Sequence, residues 1–321
     1  MAVSGETEIS TEVLLGSSQA TVDKLKAAGL VTLLQVAVTP PLEIVAKTEI
    51  KTLDTAKKAW MSAQKALNIF RNAEELYLEQ QAKKMQKLTT GVKTLDELIG
   101  GGYERGIITE IIGGFGSGKT QLCFMASVLA QLPEDQGGLD AKTLFFDTEE
   151  TFMPERIIEI AEGQGLDPNE TMRNITVVQV FNTEHLKVLI QNISEELQTG
   201  NYGVLVVDSM IGHFRSEFFG RGTLANRQQI LAGILGDILR TAKSFNLVTL
   251  LTNQVIANVT GYGPKENPAG GNIMAHAGTI RLKLRTGRTN IRIAQLIDSS
   301  WLPPGEAPFK ITEKGVEDTG E

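Results

Sequence analysis

Eight consecutive residues, Gly113, Gly114, Phe115, Gly116, Ser117, Gly118, Lys119 and Thr120, carry the densest chemistry in the chain. They satisfy G-x-x-x-x-G-K-[ST], a pattern in which glycines let backbone N–H groups close around phosphate oxygens. In such a loop Lys119 meets the β- and γ-phosphates, and the Thr120 hydroxyl ligates Mg2+. The flanks agree with this. The apolar run 107–112 predicts a strand, and residues 121–132 predict a helix whose N-terminus favours an anion. A glycine turn that binds nothing has no need of both.

Two further apolar runs end in acids. Residues 204–208 read Val-Leu-Val-Val-Asp, a buried strand that would set Asp208 beside the Mg2+ held by Thr120. Residues 145–150 read Phe-Phe-Asp-Thr-Glu-Glu. Hydrolysis needs a base that orients water in line with the γ-phosphate. Glu149 is the candidate, although residue type alone does not separate it from Asp147 or Glu150. Gln254, after Thr252 and Asn253 at another strand end, is placed either to sense the γ-phosphate or as an ordinary loop residue.

These groups need a scaffold, and the hydrophobic pattern supplies one. Short β-branched or aromatic runs recur at 107–112, 143–147, 175–180, 204–208, 247–252, 279–284 and 292–297, the earlier ones separated by helix-length segments. That alternation predicts an α/β fold with a mostly parallel buried sheet, the last two strands forming an antiparallel extension. Residues 1–66 read as a small helical module, with Gly29 placed to stop its first helix. Residues 67–88 are rich in Glu, Gln and Lys and read as a connector, and 89–321 as the catalytic core. The acidic tail from Glu313 is expected to fray.

Composition narrows the setting. With 41% apolar and 21% charged residues the chain reads as globular rather than disordered. The single cysteine, Cys123, excludes an internal disulfide and suits a reducing compartment. Neither an export signal nor a membrane-spanning run is evident, so a cytoplasmic protein is expected. The formal charge of −7 argues against nucleic acid, but the charge is uneven. Residues 267–297 hold no acid and contain Arg281, Lys283, Arg285, Arg288 and Arg292. Between Ile211 and Gly236 the only acid is Glu217, against Arg215, Arg221 and Arg227. Either stretch is compatible with a phosphate-backbone track or with solvated surface charge.

Taken in order, the motifs resemble one family, the RecA-type strand-exchange recombinases, specifically the archaeal RadA branch. They are Phe-Gly-Ser-Gly-Lys-Thr-Gln (115–121), Asp-Thr-Glu-x-Thr-Phe-x-Pro-Glu-Arg-Ile (147–157) and Phe-Arg-x-Glu-x-x-Gly-Arg (214–221). Arg-Gln-Gln (227–229), Thr-Asn-Gln-Val (252–255), Gly-Gly-Asn-Ile-Met-Ala-His-Ala (270–277) and Ile-Thr-Glu-Lys-Gly-Val (311–316) follow. The resemblance implies a RecA-like P-loop ATPase core behind a helix-hairpin-helix-like N-terminal domain. It implies ATP and Mg2+ as cofactors, a nucleotide site from Gly113 to Gln121 with Arg156 on the adenine, and Glu149 as hydrolytic base. Gln254 and His276 become couplers to the DNA loops, while His185 and His213 keep structural readings. Asp298 to Pro303 match a cap over a neighbouring subunit's ATP. Arg215, Arg221 and Arg227 match the first DNA-binding loop and its flanks, and 257–273, including Gly271 and Asn272, the second. Phe70 and Ala73 match a Phe-x-x-Ala polymerisation tether, implying a self-assembled filament or ring on single-stranded DNA that pairs it with duplex DNA. Recombination mediator proteins are implied as further partners.

The chain departs from the family pattern in places. Gly16-Ser17-Ser18-Gln19 stands where a glycine-bearing hairpin is usual, which leaves the N-terminal module as open to protein docking as to DNA. Glu150 replaces a glycine, Met153 an arginine, and Gly114 a larger residue, while Ser300-Trp301 alters the cap. Three rival readings have discriminators. An accessory paralogue would lose the DNA loops and tether, a ring helicase would unwind directionally, and a passive ATP-gated coat would not hydrolyse ATP.

Overall fold

The computed structural model describes residues 5, 7–70, 72–82, 86–218, 224–257, 266–288 and 290–320. It divides into two compact units, Met1–Met85 and Gln86–Glu321.

The first unit is helical: α1 (Gln19–Ala27), α2 (Leu33–Val38), α3 (Pro41–Lys47), α4 (Leu53–Ala66) and α5 (Ala73–Ala82). Ser18 caps α1 by accepting from the Thr21 N–H, and Gly29, at φ +77°, lies just past its end. Helix α2 escapes the sequence pattern because its six residues are too few to show a helical period. A capping box between Thr32 and Gln35 makes it a helix. Leu14, Val22, Leu25, Leu33, Val36, Ile44 and Ala59 form the core. The hairpin residue Gly16 sits at φ +83° with open space around it.

The second unit runs α6 (Lys93–Leu98), β1 (Ile108–Gly113), α7 (Lys119–Leu129), β2 (Lys142–Asp147), α8 (Pro154–Gly163), α9 (Pro168–Arg173), β3 (Ile175–Gln179), α10 (Thr183–Thr199) and β4 (Tyr202–Asp208). It continues with α11 (Gly212–Glu217), α12 (Leu224–Ser244), β5 (Val248–Ala257), β6 (Glu266–Pro268), α13 (Gly271–Ala277), β7 (Ile280–Thr286), β8 (Ile291–Ser299), β9 (Gly305–Thr312) and β10 (Gly315–Glu317). The strands order as β10-β9-β8-β7-β1-β5-β4-β2-β3, with β6 on β5. From β7 to β3 every pairing is parallel, and β8, β9 and β10 extend the sheet antiparallel.

The central parallel strands β1, β2 and β4 are buried on both faces, as crossover helices require. Along β2 and β4, Phe145, Val204 and Val206 point to one core with α7 and α8. Their neighbours Leu144, Phe146, Leu205 and Val207 point to the other, with α10 and α12. Cys123 is fully buried in the first core, and burial pushes its thiol up. The tail does not fray at Glu313. Gly315–Glu317 pairs with β9, and the Asp318 carboxylate accepts from the N–H groups of Lys93 and Thr94 in the first turn of α6. A three-residue strand is too short to show a period, which is why β6 and β10 were invisible in the sequence.

Candidate functional site

Strands β1, β5, β4 and β2 bring their C-terminal ends to one crevice, where an open parallel sheet places its ligands. A cleft of about 460 Å3 opens there. It is lined by Gly113, Gly114, Phe115, Gly116, Gly118, Lys119, Thr120, Gln121, Glu149, Asp208 and Gln254, together with Thr151, Val255 and Ile311.

The loop between β1 and α7 takes its shape from three glycines. A Cβ on Gly113 would lie 2.3 Å from Ser117 Oγ, and Gly116 and Gly118 sit at φ +68° and +101°. Gly114 is not so constrained, since its nearest neighbour for a Cβ would be Val255 at 3.9 Å. Lys119 Nζ donates to the carbonyls of Gly113 and Gly114, both at 3.0 Å, folding the side chain back over the loop. Burial lowers its pKa, opposed by the charges of Asp208 and Glu149. The Ser117 hydroxyl is buried without a hydrogen-bond partner among the described residues. Open N–H groups, a cation and an orphaned hydroxyl suit a phosphate chain.

Beneath the loop, Thr120 Oγ1 donates to Asp208 Oδ2 at 2.6 Å, and Thr252 Oγ1 donates to Oδ1. Burial raises the Asp208 pKa, and those two hydroxyls oppose the shift. Thr120 and Asp208 thus present adjoining hard oxygens, the donor set Mg2+ prefers.

The loop after β2 separates its three acids. Asp147 is buried, and its carboxylate accepts from the N–H groups of Glu149, Thr151 and Phe152 at 3.2, 3.1 and 2.9 Å. Phe152 then packs edge-on against Phe124 and Phe145. With its oxygens spent on backbone, Asp147 shapes the turn. Glu150 is exposed at φ +55°, the left-handed region where glycine is at ease, so the glycine of the family pattern suits this position and Glu150 carries a backbone cost there. Glu149 alone of the three lines the cleft. Its Oε1 accepts from Ser209 Oγ at 2.7 Å and Gln254 Nε2 at 2.6 Å, and Arg215 donates in turn to Gln254 Oε1.

The remaining sequence candidates are dispersed. Arg156 Nε donates to Gln121 Oε1 at 2.8 Å, and its other nitrogens to the carbonyls of Thr312, which ends β9, and of Glu313 just after it. Asp298 and Pro303 are exposed and do not line this cleft. Gly271, Asn272 and His276 are exposed on α13, outside the cleft lining, and Arg227 is half-buried on α12. Arg221 and residues 258–265 lie outside the described residues. His213 Nε2 bonds the Val180 carbonyl at 2.7 Å, and His185 stacks on Phe181. Phe70 is 88% exposed, and Ala73 opens α5.

Three of the arginines in the basic stretch 267–297 have partners within the fold. Arg281 is buried against Glu110 at 2.6 Å, Arg285 pairs with Glu306 at 2.8 Å, and Arg292 Nε donates to the Gly116 carbonyl at 3.1 Å. Two further side chains contribute. Thr252 lies in the Thr-Asn-Gln-Val motif, and Ser209 follows the strand-end aspartate, a hydroxyl whose position is its only signal in the sequence.

A family model described as Rad51 matches residues 81–319. The chain is 44% identical over 307 residues, 95% of its own length and 95% of the relative's, to a DNA repair and recombination protein RadA of Aeropyrum pernix. A P-loop ATPase cleft on a RecA-like sheet and a match over most of the sequence lead to one conclusion: the chain belongs to the Rad51 family.

Proposed function

We propose that the chain is a DNA-dependent ATPase that polymerises on single-stranded DNA and catalyses homologous pairing and strand exchange with duplex DNA. The observation that carries this reading is the hydrogen-bond path from Arg215 through Gln254 to Glu149. It joins an exposed arginine to the one acid of the β2 loop that lines the phosphate cleft, so occupancy of one end is felt at the other.

Gly113 to Gln121 would hold the triphosphate, with Arg156 beside Gln121 at the adenine end. Thr120 and Asp208 would hold Mg2+, which when bound neutralises charge on the phosphates. Lys119 exchanges two backbone carbonyls for phosphate oxygens. Glu149 takes the proton of the attacking water. Arg215, Arg221 and Arg227, with Gly271 and Asn272 at the start of α13, meet DNA phosphates. They do so without reading bases, so affinity is sequence-tolerant and salt-sensitive. His276 joins Gln254 in coupling the two ends, and Asp298 and Pro303 cap a neighbour's nucleotide.

Assembly has its own support. Strand β3 ends the sheet with one edge unpaired among the described residues, and Phe181 just beyond it is exposed. A segment of a second copy carrying Phe70 and Ala73 suits such an edge. Mediator proteins would compete for the same edge.

The test is strand exchange with ATP and Mg2+, read beside electron microscopy on single-stranded DNA. Filaments, and joint molecules from homologous duplex alone, are the expected result. Absence of assembly with every nucleotide tried overturns the reading, and directional unwinding by closed rings would replace it with a helicase.

A further inference from the structure

The two oxygens of Glu149 have unequal surroundings. Both side-chain donors, Ser209 Oγ and Gln254 Nε2, go to Oε1, and no described donor reaches Oε2. A carboxylate held by one oxygen keeps the other for an incoming proton.

The two donors also differ in what holds them. Ser209 is buried, and its hydroxyl accepts from the Gly212 N–H at 3.1 Å, which turns its own proton toward Glu149. Its backbone is bound on both sides: the N–H donates to Thr148 Oγ1, and Thr148 Oγ1 donates to the Ser209 carbonyl, each at 2.8 Å. Gly212 keeps the space clear, since a Cβ there would stand 3.2 Å from Glu149 Oε1 and 3.3 Å from Ser209 Oγ. Gln254, by contrast, is only half-buried and bonded to the exposed Arg215. Any anion that draws Arg215 away loosens Gln254 and leaves Ser209 in place.

We propose that Ser209 is a positioning residue of the ATPase, the fixed donor that holds Glu149 by Oε1 with Oε2 left for the water, whether or not DNA is bound. The inference rests on Glu149 being the hydrolytic base. Gln254 is then the variable donor, and the two divide one task.

The test uses the full-length protein in steady-state ATP hydrolysis, with and without single-stranded DNA, and binding of a fluorescent ADP analogue with Mg2+. For Ser209→Ala, kcat falls about tenfold in both conditions, the loss of one hydrogen bond to a charged group. KM and analogue affinity stay within about twofold, and Ser209→Thr, which keeps the hydroxyl, recovers most of kcat. Unchanged turnover in Ser209→Ala overturns the proposal. So does a loss seen only with DNA, a parallel loss of nucleotide binding, or a Ser209→Thr protein as slow as Ser209→Ala. Glu149→Gln separates the two layers of the argument. If it is inactive while Ser209→Ala is normal, the Ser209 role alone fails; if it still turns over, the base assignment falls and takes the Ser209 role with it.

Discussion

The floor and the rim of the cleft use the same residue types under opposite conditions. On the floor, Asp208 is buried, and each of its oxygens accepts from a threonine on a different element, Thr120 in α7 and Thr252 in β5. On the rim, Glu149 is exposed and shares a single oxygen between a fixed serine and a movable glutamine. Phe115, at the tip of the phosphate loop, is fully exposed. The contrast teaches that the floor is bonded from within the fold, whereas the rim is exposed.

Three substitutions sharpen or break that contrast. Lys119→Ala, on the phosphate loop, should lower ATP turnover by at least about a hundredfold, because no other cation lines the cleft among the described residues. A steady-state assay near the parent rate would show that the floor does not bind the phosphates. Asp147→Ala should cost about 3 kcal/mol in denaturant unfolding, since three N–H groups lose their acceptor and one carries Glu149. A stability within about 0.5 kcal/mol of the parent would mean that the turn holds without its carboxylate. Arg215→Ala, on the rim, should bring the smallest change. One phosphate contact on single-stranded DNA is worth about 0.7 in the slope of log affinity against log salt, and stimulation of turnover by DNA should fall with it. An unchanged slope would remove Arg215 from the DNA path.

What could be read in advance followed the range of the interaction. The phosphate loop is contiguous, so Gly113 to Thr120 announce themselves, and the central parallel strands show as apolar runs because both their faces are buried. Asp147, Glu149 and Glu150 could not be told apart by type, because the difference is which of them the turn spends on backbone N–H groups. The partner of Arg281 could not be read for the opposite reason. Arg281 meets Glu110 across 171 residues, a distance over which a local charge count says nothing. The tail was misjudged likewise, since the partner of Asp318 is the start of α6, 225 residues away for Lys93.

That same Glu110–Arg281 pair has a consequence for folding. The two residues stand directly opposite in the ladder between β1 and β7, and Asn253 on β5 donates to the other Glu110 oxygen at 2.6 Å. Most residues of the central strands are apolar on both faces, so a slipped strand would still bury apolar side chains. Here a slip by one position strands two unlike charges in a dry interior, a penalty of several kcal/mol. The ion pair therefore works as a ratchet pin, letting three neighbouring strands lock in one alignment and making every near miss come apart.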